Sequence, residues 1–373
     1  MSLRTLNNAL ERRKFLEKEL NINLTSLNQV LIDDEKQIHC ENLIGAISLP
    51  LGVAGPLHIH GNHVKGERYI PMATTEGALV ASVARGCKSI NLSGGVNTYA
   101  FRMGTTRGPV FYTASLEKSK SFYTWMRANE KKLAAVAEKT SNHLKYIKSD
   151  MKTLGNYAYV RFYFDTQDAM GMNMVTIASQ AINQFIEKET GIKCLSLSGN
   201  FCVDKKPAWS NFINNRGYKA WAEVVLRKEI IKTVLKSTAK KIFNVWLAKC
   251  MVGSAMSGSL GFNGQFANII AAVFAATGQD LAHIGEGSMG ITTMNIMENE
   301  DLYVSVYLPD LMIGTIGGGT KLKTQTETRN IMKVVHPAEL VEIISGAVLA
   351  GEISLLSSLE EGSLAQTHEK FGR

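Results

Sequence analysis

The chain has 373 residues, 45% hydrophobic and 20% charged, and is long enough to bury a large core in two or three domains. Its net charge of +8 predicts anionic partners, but Lys and Arg form no run longer than three and do not alternate with aromatic residues, which argues against nucleic acid. The five cysteines are scattered without a CxxC pair, which argues against a disulfide framework or a zinc site and favours a reducing cytoplasm.

The first predicted element is an amphipathic helix over residues 3–20, where leucines recur at helical spacing between charged residues. This segment lacks the apolar stretch of a signal peptide, so secretion is not expected. Residues 41–61 are predicted to be extended with turns. A helix with small residues on one face is predicted over residues 75–91, and it ends at the turn of Gly94 and Gly95.

From residue 107 onwards, strand and helix patterns alternate closely. The predicted elements are a strand over residues 109–112, a charged helix over 116–139, an alternating strand over 157–164 and a helix after Asp168. This order indicates a compact α+β unit. Residues 251–276 are nearly free of charge, which predicts a long helix buried on all sides, and their polar residues argue against a membrane span.

Glu76 is the carboxylate in the most unusual local pattern. Residues 41–45 and the Gly- and Pro-rich residues 50–57 precede it, and the small apolar residues 77–84 follow it. Gly and Pro at this density usually shape a backbone around a ligand. A carboxylate that enters an apolar segment is partly desolvated, which favours its protonated form and suits a proton donor. The alternative is a carboxylate that interacts with a helix N-terminus.

Further distinctive blocks follow along the chain. They are residues 168–174 (DAMGMNM), 198–207 (SGNFCVDKKP), 253–256 (GSAM), 278–280 (GQD) and 314–320 (GTIGGGT), with His368 near the C-terminus. Together with residues 41–77, these blocks resemble class I 3-hydroxy-3-methylglutaryl-CoA (HMG-CoA) reductase, in family order from about residue 36 to His368. This family reduces a CoA thioester to mevalonate, and the phosphates of CoA and of a dinucleotide would account for the basic balance.

The resemblance implies an α+β fold of a soluble, prokaryote-like form. In that fold, a large domain around a long buried helix carries an inserted ferredoxin-like cofactor-binding domain. The implied parts are a small N-terminal helical region (residues 1–35), the large substrate- and CoA-binding domain (36–100 and 197–373) and the small NAD(P)-binding domain (101–196). Eukaryotic members carry a membrane region before this part, and its absence here predicts a cytoplasmic protein.

Four residues receive catalytic roles from the resemblance. Hydride addition to a thioester carbonyl creates an oxyanion, which needs a fixed positive charge and a proton source. Lys205 would polarise the carbonyl, Glu76 would give the proton, and Asp280 would tune both within one hydrogen-bonded network. His368 would protonate the departing CoA thiolate. Without the resemblance, Lys205 is a surface lysine in a charged turn, and His368 is an inert tail histidine.

Substrate contacts also follow from the resemblance. The residues implied for the hydroxymethylglutaryl group are Ser198, Asn200, Asp204, Lys206 and Lys249, and those implied for CoA are Ser82, Arg85 and Lys236. Tyr99 stands where the family often has an arginine that grips the substrate carboxylate and the cofactor, and we expect Arg102 to replace it. Residues 214–219 and 281–286 also differ from the family and are expected to lie beside the site rather than in it.

The implied cofactor site does not contain the GxGxxG fingerprint. Its residues are Asp168, Met170, Gly171, Met172 and Asn173, together with Ser141 and Asn142. Gly171 would let the dinucleotide approach the backbone. Family members that prefer NADP have an arginine near Ser141, and in this chain Lys145 or Lys148 would have to serve. We expect NADPH rather than NADH, although composition alone would make residues 168–174 a Met-rich core segment.

The family forms its active sites between two subunits. We therefore expect a homodimer as the smallest unit and a homotetramer as the assembly, with residues 41–45 and 314–320 at the interface. The expected partners are HMG-CoA or mevalonate and CoA, with neither nucleic acid nor a membrane. Two alternative functions stay open: oxidation of mevalonate with NAD in the catabolic direction, and a CoA-binding pseudoenzyme without activity.

Overall fold

The computed structural model describes residues 40–362 and, before them, the single positions 8, 10, 11, 14, 17 and 18. The predicted helix over residues 3–20 and most of the predicted N-terminal region, residues 1–35, lie outside the described residues. His368 also lies outside them.

Eleven strands in residues 40–362 form one connected sheet. They are β1 (Leu51–Gly61), β2 (Lys65–Ala73), β3 (Val96–Arg107), β4 (Val110–Tyr112), β5 (Lys145–Leu154), β6 (Tyr157–Asp165), β7 (Lys193–Ser196), β8 (Arg216–Leu226), β9 (Gly261–Phe262), β10 (Gly290–Ile296) and β11 (Leu302–Leu311). Strands β1 and β3, and strands β9 and β10, are parallel neighbours, and the other pairs are antiparallel.

The same residues contain twelve α-helices and three short helical turns of other types. The α-helices are α1 (Leu79–Leu92), α2 (Leu116–Ala128), α3 (Glu130–Glu138), α4 (Met172–Thr190), α5 (Trp209–Asn214), α6 (Lys228–Val234), α7 (Ala239–Trp246), α8 (Ser254–Ser257), α9 (Phe266–Thr277), α10 (Ile284–Gly287), α11 (Lys323–Met332) and α12 (Pro337–Glu361). A π-helical segment covers Leu247–Gly253, and 3-10 turns cover Leu281–His283 and Gly318–Lys321.

Strand β3 connects the two halves of the sheet. Its first part pairs in parallel with β1 and antiparallel with β8, whereas residues 105–107 pair with β6. Gly104 lies where the register with β8 shifts, and its φ of 102° is a conformation that glycine adopts without strain. The strand therefore leads from the larger half of the sheet into the smaller one.

The smaller half contains the elements from β4 to β7. Along the chain they follow as β4, α2 and α3, β5, β6, α4 and β7, and in the sheet the strands lie in the order β7, β4, β6, β5. This is the β-α-β-β-α-β order of a ferredoxin-like fold. The charged helix predicted over residues 116–139 is interrupted at Asn129, whose side-chain amide donates to the Trp125 carbonyl at 2.9 Å. The predicted α+β unit is present, while its boundaries stay a prediction.

Helix α12 lies at the centre of the larger half. It is buried along most of its length and packs against α1, β3, β8 and α9. It is long and apolar enough to cross a membrane, but 94% of its most apolar stretch is covered by the rest of the fold. The larger half therefore contains a long buried helix, as expected, while its extent as a domain stays a prediction.

The position predicted for that helix, residues 251–276, is wrong. The chain there forms the end of the π-helical segment, α8, β9 and α9. Gly258 has a φ of 67° and ends α8, and the following Ser and Gly residues line a cavity. The uncharged segment is therefore partly a cavity wall and partly the buried helix α9, rather than one long buried helix.

Helix α1 begins four residues later than predicted. Ala78 precedes it with a φ of 68°, and this left-handed backbone does not continue a helix. Glu76 therefore lies in a turn before the helix. On the buried face of α1, Gly86 lies so close to Ala350 of α12 that a larger residue would overlap the Ala350 backbone.

Candidate active site

Lys205 and Asp280 form an ion pair between two loops. The Lys205 Nζ atom lies 2.7 Å from Asp280 Oδ2, and both side chains are partly exposed. Lys205 belongs to the loop 197–208 that connects β7 and α5, and Asp280 lies just after α9. The structure thus brings together two of the three residues predicted to form the catalytic network.

The loop 197–208 has a strained backbone. Asn200, Val203 and Lys205 have φ values of 61°, 51° and 61°, in the left-handed region. This conformation is uncommon for any residue other than glycine and is an outlier for the β-branched Val203. Such strain persists where surrounding contacts hold it and collects at functional sites. The backbone of this loop therefore supports a functional role for Lys205.

Asp280 is held as a carboxylate. Its Oδ1 accepts a hydrogen bond from the Ala282 N–H at 3.0 Å, which begins the 3-10 turn after it. Burial alone would raise the pKa of Asp280, but the hydrogen bonds from Lys205 and Ala282 outweigh burial and lower the pKa below its usual value. The ion pair with Lys205 is therefore charged at neutral pH.

A buried network of charged side chains lies behind this pair. Arg216 Nη2 donates to Asp204 Oδ1 at 2.8 Å, and Arg216 Nη1 contacts the two Glu286 oxygens at 2.6 and 2.8 Å. The Nε of Arg216 donates to Thr106 Oγ1 at 2.9 Å, and Arg107 lies 3.8 Å from Asp204. Asp204, predicted to hold substrate, is thus already paired with two guanidinium groups and anchors the loop of Lys205.

The carboxyl groups of this network differ in charge. Burial raises the pKa of Glu286, but the hydrogen bond from His283 and the charge of Arg216 lower it below its usual value. Burial and the neighbouring Glu286 hold the pKa of Asp310 well above its usual value. Burial alone would lower the pKa of Arg216, but the nearby Glu286, Asp310 and Asp204 outweigh burial and raise this pKa above its usual value. Glu286 is therefore the ionised carboxyl group, and Asp310 keeps its proton to higher pH.

The expectation that residues 214–219 and 281–286 lie beside the site is wrong. Arg216 contacts Asp204, and the buried His283 lies 3.6 Å from Asp280 Oδ2. The sequence contained one signal for this: His283 and Glu286 are titratable residues in a stretch of small and apolar ones, and such residues are seldom buried unless they are paired.

Glu76 lies in a different region, a cavity of about 410 Å³. The predicted CoA contacts Ser82 and Arg85 and the predicted substrate contact Lys249 line the same cavity. Glu76 is exposed, and its Oε1 accepts a hydrogen bond from Asn268 Nδ2 at 3.2 Å. The expectation of a desolvated Glu76 is therefore wrong for the single chain. Among the described residues, no hydrogen bond or ion pair joins Glu76 to Lys205 or Asp280.

Ser82 and Arg85 are positioned by α12. Ser82 Oγ lies 3.0 Å from Ser354 Oγ, and Arg85 donates to the Ser354 carbonyl at 2.6 Å and to Ser358 Oγ at 2.5 Å. Burial lowers the pKa of Arg85, and the nearby Glu361 offsets part of this effect. The guanidinium is thus fixed at one wall of the cavity by neutral oxygen atoms.

The other residues predicted to contact substrate or CoA occupy three places. Ser198, Asn200 and Lys206 share the loop of Lys205, and Lys206 Nζ donates to the Asp204 carbonyl at 3.3 Å. Lys236 is exposed between α6 and α7, with a φ of 57°, and does not line the Glu76 cavity. A second cavity of about 760 Å³ extends from Pro207, at the end of the loop, to Lys249. Lys249 lines both cavities and so lies between the two groups of residues.

The predicted cofactor residues surround the N-terminus of α4. Gly171 has a φ of 90°, and a side chain there would overlap Thr166. A side chain at Gly314 would overlap the Met170 backbone. Met172 Sδ accepts a hydrogen bond from Arg216 Nη2 at 3.1 Å, and Asn173 is exposed. The two glycines let the backbone pack closely at a helix N-terminus, where anionic groups bind favourably.

Residues 314–320 connect this segment to Asp280. The Thr315 N–H donates to the Asp168 carbonyl at 2.8 Å, and the Gly314 N–H donates to Gln279 Oε1 at 3.0 Å. The predicted cofactor and catalytic residues of one chain are therefore joined by a short stretch of backbone. The carboxylate of Asp168 also lies 3.2 Å from His336 Nδ1.

Ser141 and Asn142 lie beside the same segment. His143 Nδ1 is 3.0 Å from Gln167 Oε1, which holds residues 141–143 next to Asp168. Lys148 is engaged elsewhere, with its Nζ 3.2 Å from Asp150 and above the ring of Tyr163. Of the two lysines considered for a cofactor phosphate, Lys145 at the start of β5 is therefore the better placed.

Arg102 does not occupy the position expected for it. Tyr99 is exposed on one face of β3, whereas Ala100 and Arg102 line a cavity on the other face. Arg102 Nη1 lies 2.9 Å from Asp165, and its guanidinium covers the ring of Tyr218. Because side chains alternate along a strand, Arg102 cannot replace a side chain at position 99 of the same chain.

Comparison with known proteins agrees with these features. The family model of hydroxymethylglutaryl-coenzyme A reductase matches residues 8–373. The 3-hydroxy-3-methylglutaryl-coenzyme A reductases of Methanothermobacter thermautotrophicus and Methanocaldococcus jannaschii are 45% and 47% identical to the chain, over 97% of its length and 92% of theirs. The chain belongs to the hydroxymethylglutaryl-coenzyme A reductase family. The reductase of Catharanthus roseus is 40% identical over 90% of the chain and 57% of its own length.

Solved structures share the fold of this family member. The class II HMG-CoA reductase of Streptococcus pneumoniae, determined with NADPH bound in open conformations, has a TM-score of 0.72 and 18% identity, with 95% of this chain and 97% of that chain covered. Another structure of the Streptococcus pneumoniae enzyme gives a TM-score of 0.71 at 19% identity. The mixed arrangement of helices and sheet is therefore the fold of HMG-CoA reductases.

Proposed function

We propose that the chain reduces (S)-3-hydroxy-3-methylglutaryl-CoA to mevalonate and CoA with two equivalents of NADPH. The observation that carries this proposal is the Lys205–Asp280 ion pair of 2.7 Å on a strained loop. The names of the relatives support the same reaction. We assign the chain to class I, because it is 40–47% identical to the relatives described above but only 18% identical to the class II structure.

Lys205 would stabilise the oxyanion of the thioester carbonyl. Its ammonium group is partly exposed, so that it can reach a substrate, and it is held in place by the ionised Asp280. Asp204 is held by Arg216 and fixes the loop from behind. A preorganised cation of this kind lowers the barrier because it needs little rearrangement as charge develops on oxygen. His368 would protonate the CoA thiolate.

Glu76 would enter the site of a second subunit, as the proton donor. Two observations support an active site shared in a homodimer. Glu76 does not contact Lys205 or Asp280 among the described residues of one chain, and the segment before it exposes Ile47, Leu49 and Leu51. Exposed apolar side chains in a row favour an interface with another subunit. A homotetramer would be a pair of such dimers.

NADPH fits the residues around α4. Asp168, Met170, Gly171, Met172 and Asn173 would hold it, because they surround a helix N-terminus, where anionic groups bind favourably. When bound, NADPH supplies the hydride. Ser141, Asn142 and Lys145 would face its additional phosphate, with NADH as the alternative cofactor. All five cysteines are free, which supports a cytoplasmic enzyme.

The test is an assay of reduced-nicotinamide consumption with purified protein and HMG-CoA, run separately with NADPH and NADH. We expect two nicotinamides per CoA thiol, faster with NADPH, and a loss of at least about a hundredfold in kcat for Lys205→Ala. Lys120→Ala, an exposed lysine of α2, is the matched control and should leave activity unchanged.

Three outcomes would change the proposal. Faster turnover with NADH would reverse the cofactor assignment. Activity only with mevalonate, CoA and NAD would favour the catabolic direction. Binding of CoA without turnover in either direction would make the chain a pseudoenzyme.

A further inference from the structure

His283 is fully buried between the Lys205–Asp280 ion pair and the ion pairs of Arg216. Its Nδ1 is hydrogen-bonded to Glu286 Oε1. Its Nε2 faces Asp280 Oδ2 at 3.6 Å and Asp204 Oδ1 at 4.0 Å. Among the described residues, this Nε2 atom has no hydrogen-bond partner. A buried polar atom without a partner needs a physical explanation.

The partners of His283 determine which ring nitrogen carries a proton. An ionised carboxylate only accepts hydrogen bonds, so the bond to Glu286 requires a proton on Nδ1. Glu286 is kept ionised by Arg216, whose Nη1 contacts both of its oxygens. In neutral His283, Nε2 therefore directs a lone pair at two carboxylate oxygens, which is unfavourable. A second proton at Nε2 converts this contact into a charge-assisted hydrogen bond to Asp280.

We propose that His283 is a positioning residue that stores a proton at Nε2 and returns it, through Asp280, to Lys205 during turnover. This inference rests on the proposed reductase function. It concerns a proton balance that the reaction requires, because the two hydride transfers consume two protons, one of which ends on the CoA sulfur and the other on the alcohol oxygen. Asp280 Oδ2 lies 2.7 Å from Lys205 Nζ and 3.6 Å from His283 Nε2. A proton can therefore pass between the two residues through this one carboxylate.

The proton transfers balance in sequence. Lys205 loses an N–H proton to the group it faces, either Glu76 or the product oxygen. The Nε2–H bond of His283 breaks and its proton passes to the Asp280 carboxylate at Oδ2, which passes it on to Lys205 Nζ, so that Asp280 ends ionised as it began. His283 is then neutral, with its remaining proton on Nδ1 and hydrogen-bonded to Glu286. Water restores the Nε2 proton through the partly exposed Asp280 and Lys205.

The charged groups around His283 are of both signs: the carboxylates favour a second proton on its ring, and the cations oppose it. These groups are Asp280 and Glu286 on its own segment, Asp204 and Lys205 on the loop 197–208, Arg216 on β8, Arg107 on β3 through Asp204, and Asp310 on β11 beside Glu286. The ligand atoms of Asp204, His283 and Glu286 lie within 4.8 Å of one another, as in a metal site. Arg216 already contacts the oxygens of both carboxylates, and its charge opposes a metal ion.

The first experiment uses the wild-type protein and needs no activity. In spectra of protein labelled with 15N-histidine, assigned by the loss of one signal in His283→Gln, we expect Nδ1 to stay protonated while Nε2 titrates in the pH range of the folded protein. In Asp280→Asn the Nε2 titration should move to lower pH, because one carboxylate is gone. An Nε2 atom that keeps one protonation state throughout this range would overturn the proposal.

The second experiment measures the pH dependence of kcat and KM for His283→Gln, which keeps a donor for Glu286 but cannot titrate. We expect kcat to fall about ten- to a hundredfold with KM within about twofold, and the pH profile of kcat to lose one titration. Glu342→Gln, which changes a buried carboxylate of α12 that accepts the N–H groups of residues 62–64, should keep the wild-type profile. A His283→Gln profile parallel to wild type would mean that His283 is only structural. If the wild type itself were inactive, the proposed function would fail, and the titration of Nε2 would still decide the protonation of His283.

Discussion

The two polar regions of the molecule are built in different ways. Lys205 and Asp280 end a continuous network of buried charges in which Arg216 contacts both Asp204 and Glu286. The Glu76 cavity has only one hydrogen bond to its carboxylate, and Lys249 forms no ion pair within the described residues. The first region is therefore preorganised by a single chain, whereas the second exposes charged groups that need a ligand or another subunit to complete them.

The strongest test of this difference between the Lys205–Asp280 region and the Glu76 cavity is a mixture of two inactive variants. Glu76→Gln and Lys205→Ala should each abolish most activity. When they are coexpressed with different tags and copurified, a mixed dimer should contain one site without either substitution, because a two-fold interface exchanges the same residues in both directions. The copurified mixed dimer should therefore recover about half of wild-type kcat, and an unselected statistical mixture about a quarter. Sites formed within one chain would give no recovery, even though both variants copurify.

The buried network should also dominate stability. In Arg216→Met, the ionised Glu286 and Asp204 lose a fully buried partner, and we expect the free energy of unfolding to fall by about 3–5 kcal/mol. The matched control is Arg102→Met, because the pair of Arg102 with Asp165 is partly exposed and should contribute about 0.2–1 kcal/mol. Urea unfolding of both variants measures the difference. Equal losses would contradict a special role for the buried network.

The sequence predicted the contact of Lys205 with Asp280 but not the network that supports it. Motif resemblance identifies single residues, and it gave Glu76, Lys205 and Asp280 without showing that one chain joins only the last two. Arg216 and His283 were missed because their importance comes from burial, which depends on how β8 and the turn after α9 pack together. The long buried helix was predicted over residues 251–276 instead of at α12 because that segment carries no charge. A Gly-rich cavity wall and a buried helix share this property, so it could not distinguish between them.

Two buried glutamates of α12 sharpen the comparison further. Glu352 accepts the backbone N–H groups of Gly264 and Gln265 at 2.8 and 2.6 Å, and these residues line the Glu76 cavity. Glu342 accepts the N–H groups of residues 62–64 in the β1–β2 turn. Gln at either position removes an acceptor and should cost about 1–3 kcal/mol of stability. Only Glu352→Gln should also raise KM for HMG-CoA, by several-fold. An equal rise in KM for Glu342→Gln would show that substrate binding in the Glu76 cavity does not depend on the hydrogen bonds of Glu352.

The smallest expected effect concerns Asp310, whose pKa burial and Glu286 raise above its unfolded value of 3.8. Because the folded state binds this proton more tightly than the unfolded state, its stabilising contribution is complete below that value and declines as the pH rises towards the folded pKa. Asn keeps a neutral side chain at every pH. Asp310→Asn should therefore lose less stability than wild type as the pH rises from about 4 to about 8, as urea unfolding at several pH values would show. The pKa of Glu286 is lowered, so its own contribution has the opposite sign and is lost as the pH falls. Parallel stability curves would mean that Asp310 is ionised in the folded protein, and the network would then hold a further negative charge beside Arg216.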